Sequence, residues 1–277
     1  MLTSLNRVRR NWERLARTDP LWAILSDPLR RGNRWDAGEF FASGVEEIDA
    51  AFAYLEGLGL PPRRGRALDF GCGVGRLTQA LAARMREAHG IDVSPSMLDL
   101  ARRYNRHGGR CRYHRTDTGG LPFQDGVFDL IYSSITLQHI PAPLAECYIT
   151  DFLRLLAPGG ILLFQEAAEP LPPPGAPPWR RFTGALRRLL PRRAVDGLRA
   201  LRLTLRPPAD FEMHGIPRRR VERLIGAAGG RLVDVVEDGA AGAGWTSFRY
   251  CVVRPGAGAG ASPEPPPSRG LRTRIVG

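Results

Sequence analysis

Residues 67 to 81 read ALDFGCGVGRLTQAL. A short apolar run carries Asp69 near its end, glycines follow at 71, 73 and 75, and an amphipathic stretch comes next. That pattern reads as a buried strand turning directly into a helix. Glycine at alternate positions lets the backbone turn tightly and come close to whatever lies above it. In parallel α/β sheets such a turn stands at the carboxyl end of a strand, where these folds hold ligands. The spacing is D-x-G-x-G-x-G, without the third glycine that a dinucleotide turn of the form G-x-G-x-x-G requires.

Outward from this turn, strand and helix alternate. LTQALAARMREA places Leu77, Ala80, Leu81, Met85 and Ala88 on one helical face, and AHGIDVS is a second strand. Ser94 followed by Pro95 is a helix start, with a capping hydroxyl ahead of a proline at the first helical position. CRYHRTD and FDLIYSS read as strands three and four, LAECYITDFLRLL as a helix stopped by APGG, and ILLFQEA as strand five. Regular alternation implies right-handed crossovers and a parallel sheet covered on both faces. VERLIGAAGG then gives a helix, and RLVDVVED and WTSFRYCVVR a closing hairpin.

Residues 1–60 read as a helical extension or cap rich in aromatic side chains, from Trp12 and Trp22 to Phe52 and Tyr54. Core packing is the expectation for these rings; the alternative is that RWDAGEFF, Trp35 to Phe41, folds over a ligand. Residues 61–254 form the main α/β domain. It is interrupted at about 169–210 by a Pro/Arg-rich insertion, whose stretch 180–206 holds nine Arg against Asp196 alone. Insertions of this length act as lids or binding loops, or are disordered. The tail, 255–277, is low-complexity and expected to be disordered.

The chain of 277 residues has a formal net charge of +12, and every one of its forty basic residues is Arg. Such a charge invites a nucleic-acid reading, but the absence of Lys beside abundant Ala, Gly and Pro points instead to composition bias and a solvated basic face. Cys72, Cys111, Cys147 and Cys251 lack metal-site spacing and a disulfide framework, so no metal is expected. The N-terminal residues lack the apolar core of a signal peptide and no segment has the length of a membrane span, so a reducing cytoplasm is the expected setting.

The glycine turn, together with DVSPSMLDLAR (92–102), TDTGGLPFQDGVFDLIYSSITLQHIP (116–141) and LRLLAPGGILLFQE (153–166), resembles the class I methyltransferases that use S-adenosylmethionine (SAM). The resemblance covers about residues 66–166 and extends to the terminal strand pair. It implies a doubly wound, Rossmann-like, seven-stranded sheet with helices on both faces, its last strand antiparallel and inserted between strands five and six. It also implies SAM as methyl donor. On this resemblance Gly71, Gly73 and Gly75 bring backbone to the cofactor, Asp69 holds its ammonium end, and Asp92 accepts the two ribose hydroxyls. Met97 lines the adenine slot, Asp117 accepts from the adenine amino group with the Thr118 backbone beside it, and Ser133 and Ser134 end strand four near the reactive methyl. Cys72 is a small packed residue, since methyl transfer needs no covalent intermediate.

The acceptor is read less directly. An Asn/Asp-Pro-Pro-aromatic run, which serves amino-base chemistry, is absent after strand four, where SSITLQHIP stands. A small-molecule acceptor, a hydroxyl of a metabolite or sugar, is the expectation. His139 is the candidate proton acceptor, with a structural histidine as the alternative and His214 as a second candidate. An RNA or protein methyltransferase docking through the Arg-rich insertion, and a non-catalytic SAM-binding domain, are the competing readings.

Overall fold

The computed structural model describes residues 2–116, 120–172 and 211–256. The lid, docking or disorder readings of the insertion, the disorder expected of the tail, and the adenine roles of Asp117 and Thr118 therefore lie outside the described residues, apart from 169–172 of the insertion and 255–256 of the tail.

The described strands form one seven-stranded sheet in the order β3-β2-β1-β4-β5-β7-β6. The strands are β1 (Arg66–Phe70), β2 (Glu87–Asp92), β3 (Cys111–Arg115), β4 (Phe128–Ser133), β5 (Leu156–Pro170), β6 (Arg231–Asp238) and β7 (Trp245–Val253). β1 to β5 run parallel, and β7 runs antiparallel to both β5 and β6. This is the topology that the resemblance implies.

Side chains alternate across a strand, so each strand feeds two cores. Leu68 and Phe70 of β1, Ile131 of β4 and Leu162 and Phe164 of β5 pack under α6 (Ala142–Leu155) and α7 (Arg218–Ala227). Phe70 meets Tyr148 and Phe152 of α6 with ring centroids 4.7 and 4.9 Å apart. Ala67, Leu130 and Leu163 face the other way, onto α4 (Arg76–Arg84) and onto Ile48, Phe52 and Leu55 of α3 (Ala37–Gly57). A third, smaller cluster joins Leu15 of α1 (Leu2–Thr18), Leu21 of α2 (Pro20–Ile24), Phe40 of α3, Val74 of the glycine turn and Met97 of α5 (Pro95–Tyr104).

Two expectations are corrected. The helix after the glycine turn ends at Arg84, with the Met85 N–H capping Leu81 O, and Ala88 sits in β2 between Ala67 and Cys111. Matching Arg66–Phe70 with five partners requires Glu87–Ile91 to be extended, and ladder pairing overrides local helix propensity. Strand five is longer than ILLFQEA. It begins at Leu156 opposite Phe128 and resumes at Ile161 opposite Leu130, so the intervening APGG bulges from the ladder. Trp35 packs edge-on against Phe40 at 5.7 Å and its indole N–H donates to Leu25 O, the packing alternative for RWDAGEFF.

Candidate active site

The strand order reverses beside β1, which pairs with β2 on one side and β4 on the other. A crevice opens outside the carboxyl ends at such a switch point. Here it is a cavity of about 100 Å³ whose walls include Asp69, Gly71, Gly73, Asp92, Met97 and Ser134. Six residues expected at the cofactor from sequence thus meet in one cleft. Gly75 is the exception. It turns toward Tyr113, whose ring would block a side chain there.

Gly71 and Gly73 have φ of +80° and +51°, values that L side chains rarely adopt. A methyl group on Gly71 would overlap the Thr136 side chain, and one on Gly73 would lie 2.6 Å from Ile24 Cδ1. The turn is therefore closed from above by α2 and from the side by the β4 loop.

Asp69 is buried, and its Oδ2 accepts from Thr78 Oγ1 at 2.6 Å. Burial pushes its carboxyl up to about 7 against the pull of that hydrogen bond and of the Arg76 guanidinium. Arg76, itself buried, pairs with Glu47 at 2.6 Å. Asp92 takes backbone N–H groups from Gly73 (2.9 Å) and Ser94 (2.8 Å). Burial raises its pKa too, against those hydrogen bonds. Each carboxylate oxygen of Asp92 has a further lone pair, so it can still accept from a diol.

The N-terminal helix contributes side chains to the wall of this cleft. Val8 and Trp12 of α1 line it, and Glu13 fastens the helix down. Its carboxylate accepts from Ser94 Oγ (2.7 Å), Ser96 Oγ (2.5 Å) and Ser96 N (3.2 Å) at the N-terminus of α5. Burial raises its pKa, but the hydrogen bonds from Ser96 and Ser94 outweigh this and hold it down to about 2. Helix α5 adds its positive N-terminal end.

A group with a depressed folded pKa stabilises above its unfolded pKa and ceases to as pH falls through the folded one. Glu13→Gln is accordingly expected to lower stability near neutral pH by about 1–2 kcal/mol. The deficit should shrink as pH falls from 4.5 toward 2, which denaturation series at several pH values would measure. Equal stabilities at neutral pH would mean that α1 is held by its apolar face alone.

At the end of β4 the two serines diverge. Ser133 Oγ turns into the sheet and donates to Phe70 O at 3.2 Å, while Ser134 faces the cleft. Ile135 follows with φ of +48°, an outlier for a β-branched residue that costs about 1–3 kcal/mol and persists only where its surroundings enforce it. Its N–H donates to Gln165 Oε1 at 3.1 Å, and Gln165 Nε2 donates to Gln138 Oε1 at 3.0 Å. Gln138 Nε2 then lies 3.3 Å from His139 Nε2, and His139 Nδ1 lies 2.9 Å from Glu212 O.

A carbonyl can only accept, so Nδ1 carries the proton and Nε2 the lone pair. This assigns the tautomer from the hydrogen-bond string. Burial holds the imidazole pKa below its ordinary value, so the ring is neutral at neutral pH. Trp12 meets the His139 ring edge-on at 5.3 Å.

Val8, Trp12 and His139 also line a second cavity, of about 360 Å³, together with Phe211 and Glu212. His139 thus stands at the junction of two spaces. His214 lines neither. Its backbone N–H donates to Gln138 O at 2.7 Å and seats the 211–214 segment beside the short helical turn Leu137–His139. Cys72 is a buried thiol, pushed up by burial and by Asp92 and Asp69, as a packed residue would be.

Residues 67–160 match the family described as a methyltransferase domain. The chain is 32% identical over 136 residues to a malonyl-[acyl-carrier protein] O-methyltransferase of Serratia marcescens, covering 48% of this chain and 49% of that one. It is 32% identical over 150 residues to a demethylmenaquinone methyltransferase of Tropheryma whipplei, covering 52% and 55%. It therefore spans about half the length of these curated relatives. Among solved structures, a SAM-dependent methyltransferase of Leishmania major shares the fold, with a TM-score of 0.59 at 16% identity over 90% of this chain and 82% of that one. Residues 67–160 thus carry a methyltransferase domain, and the described fold is one that a SAM-dependent methyltransferase shares.

Proposed function

We propose that the chain transfers the methyl group of SAM to a small-molecule acceptor, and that the acceptor atom is a hydroxyl oxygen deprotonated by His139. The observation that carries this reading is the pair of adjoining cavities with His139 and Trp12 at their junction. One has the cofactor's chemistry and the other is open to an acceptor.

The cleft fits SAM by its donor set. Two acidic groups at successive strand ends suit an ammonium group and a ribose diol. Met97 and Ile24 on the cleft wall offer an apolar surface to a purine. SAM, when bound, supplies an electrophilic methyl group on a sulfonium leaving group. The chain's own work is positional. Asp69 and Asp92 orient the donor, Ser134 and Ile135 bound the methyl's side of the cleft, and Trp12 closes it to water. His139 Nε2 takes the acceptor's proton once the long contact from Gln138 is released, while the Glu212 carbonyl steadies the imidazolium through Nδ1–H.

The names of the two relatives specify different acceptors, so kinship alone does not select one. The RNA or protein reading rests on the Arg-rich insertion, outside the described residues.

S-Adenosylhomocysteine (SAH), which keeps the ammonium group and the ribose, should raise the melting temperature by mass action, and NAD should not. Binding a cation favours ionised Asp69, whose pKa is near 7 in the free protein. SAH affinity should therefore weaken as pH is lowered from about 8 to about 6, with proton release below neutrality. Calorimetry in buffers of different ionisation enthalpy reads both. A melting shift with NAD and none with SAH would overturn the cofactor reading, and a pH-independent affinity would remove Asp69 from contact with the ammonium.

A further inference from the structure

One face of α1 lines the second cavity together with His139. It presents Arg7, Arg10 and Arg14, spaced i, i+3 and i+7, with Asn11 between them. Residues three and four apart share a helix face and stand about 5–6 Å apart at Cβ. Arg7 is neutralised by its ion pair with Glu212 across the cavity, and Glu212 is the acid on the cavity wall. Arg14 Nη2 donates to Asn11 Oδ1 at 3.1 Å, which fixes its guanidinium along this face. Arg10 and Arg14 have no carboxylate partner among the described residues. Glu13, the acid nearest in sequence, is held by Ser94, Ser96 and Arg17, and borders a neighbouring groove that Arg10 and Arg14 also line. Two guanidinium groups without a carboxylate partner among the described residues therefore border the cavity that His139 also lines.

We propose that Arg10 and Arg14 bind an oxyanion, a carboxylate or phosphate, on the methyl acceptor, so that the substrate is an anionic small molecule anchored at α1 with its reacting atom at His139. This rests on the methyltransferase reading above and narrows its substrate class. Guanidinium groups suit planar or tetrahedral oxyanions because they donate in parallel pairs. A membrane surface fits less well as the source of the anion. The apolar side of α1, with Leu15 and Ala16, is already buried against the protein, so no free apolar face remains to enter a bilayer.

The test uses the full chain saturated with SAH, titrated calorimetrically with inorganic phosphate and, separately, with citrate, at constant ionic strength set by chloride. The expected result is saturable binding of one anion per chain. The Arg10→Gln/Arg14→Gln double variant should weaken it about tenfold or more, and Arg9→Gln, outside this cavity, should leave it unchanged. Tighter binding of citrate would assign a carboxylate and tighter binding of phosphate a phosphoryl group. These exposed substitutions should leave the fold intact, which an unchanged melting temperature would verify. Absence of saturable binding, or an affinity equal in the parent and the double variant, overturns the proposal while SAH binding remains. Loss of SAH binding in the parent protein would instead overturn the cofactor reading itself.

Discussion

Replacing Asp92 by alanine should weaken binding of SAM and SAH by about 30- to 1,000-fold, the equivalent of about 2–4 kcal/mol for losing a charged acceptor shared by two hydroxyls. The structure adds a second consequence. Asp92 also accepts from the Gly73 and Ser94 backbones, so its removal leaves two N–H groups of the glycine turn and the α5 start without their partner. Stability should fall as well, by about 1–3 kcal/mol. Asp92→Asn separates the effects in part, because its amide oxygen can keep one of the two backbone N–H groups, the other then facing the amide NH2, while the charge toward ribose is gone. Calorimetric affinity measured beside denaturant stability for both variants makes the comparison. A folded Asp92→Ala protein with unaltered SAH affinity would remove the ribose role.

His139→Asn should lower turnover by about 10²- to 10⁴-fold, the range for loss of a general base, with SAH affinity nearly unchanged. Asparagine is the informative replacement because its amide can still donate to the Glu212 carbonyl and fill part of the space beside Trp12. For the unmutated enzyme, kcat/KM should rise with pH through a midpoint below the ordinary imidazole pKa, since burial lowers that of His139. The limb should vanish in the variant. A variant that melts early but keeps its turnover per folded molecule would make His139 a structural group and leave alignment as the source of catalysis.

The central sheet was legible because β1, β4 and β5 are buried apolar runs, and the cleft because Asp69 and the glycines stand at the end of β1, Asp92 ends β2 and Ser134 follows β4. What escaped the sequence depends on partners far away in the chain. Trp12 looks like any packed ring, and only the fold sets it against His139, 127 positions later. Glu13 reads as one charge on a solvated helix, yet its partners are Ser94 and Ser96. Gly75 is indistinguishable in pattern from Gly71 and Gly73 but faces Tyr113. The glutamine string to His139 joins Gln165 of β5 to the loop after β4, a proximity that follows from parallel pairing and from no local motif. The start of β5 at Leu156 was hidden because the bulge at APGG looks like a stop until the partner strand is known.

The position of β7 governs the order in which this protein can be completed. Nine residues of β5, between Ile161 and Pro170, pair with β7, which is flanked on its other edge by β6, and Ile161–Phe164 pair with β4 on the opposite side. Until Trp245–Val253 have left the ribosome, β5 is an open edge carrying Ile161, Leu162, Leu163 and Phe164, a template for strand pairing with other chains. The nascent protein thus passes through a stage in which its cofactor turn is already synthesised but its sheet is unfinished. Chains that stop short of residue 245 should accumulate as aggregates, and synthesis through 253 should restore soluble protein.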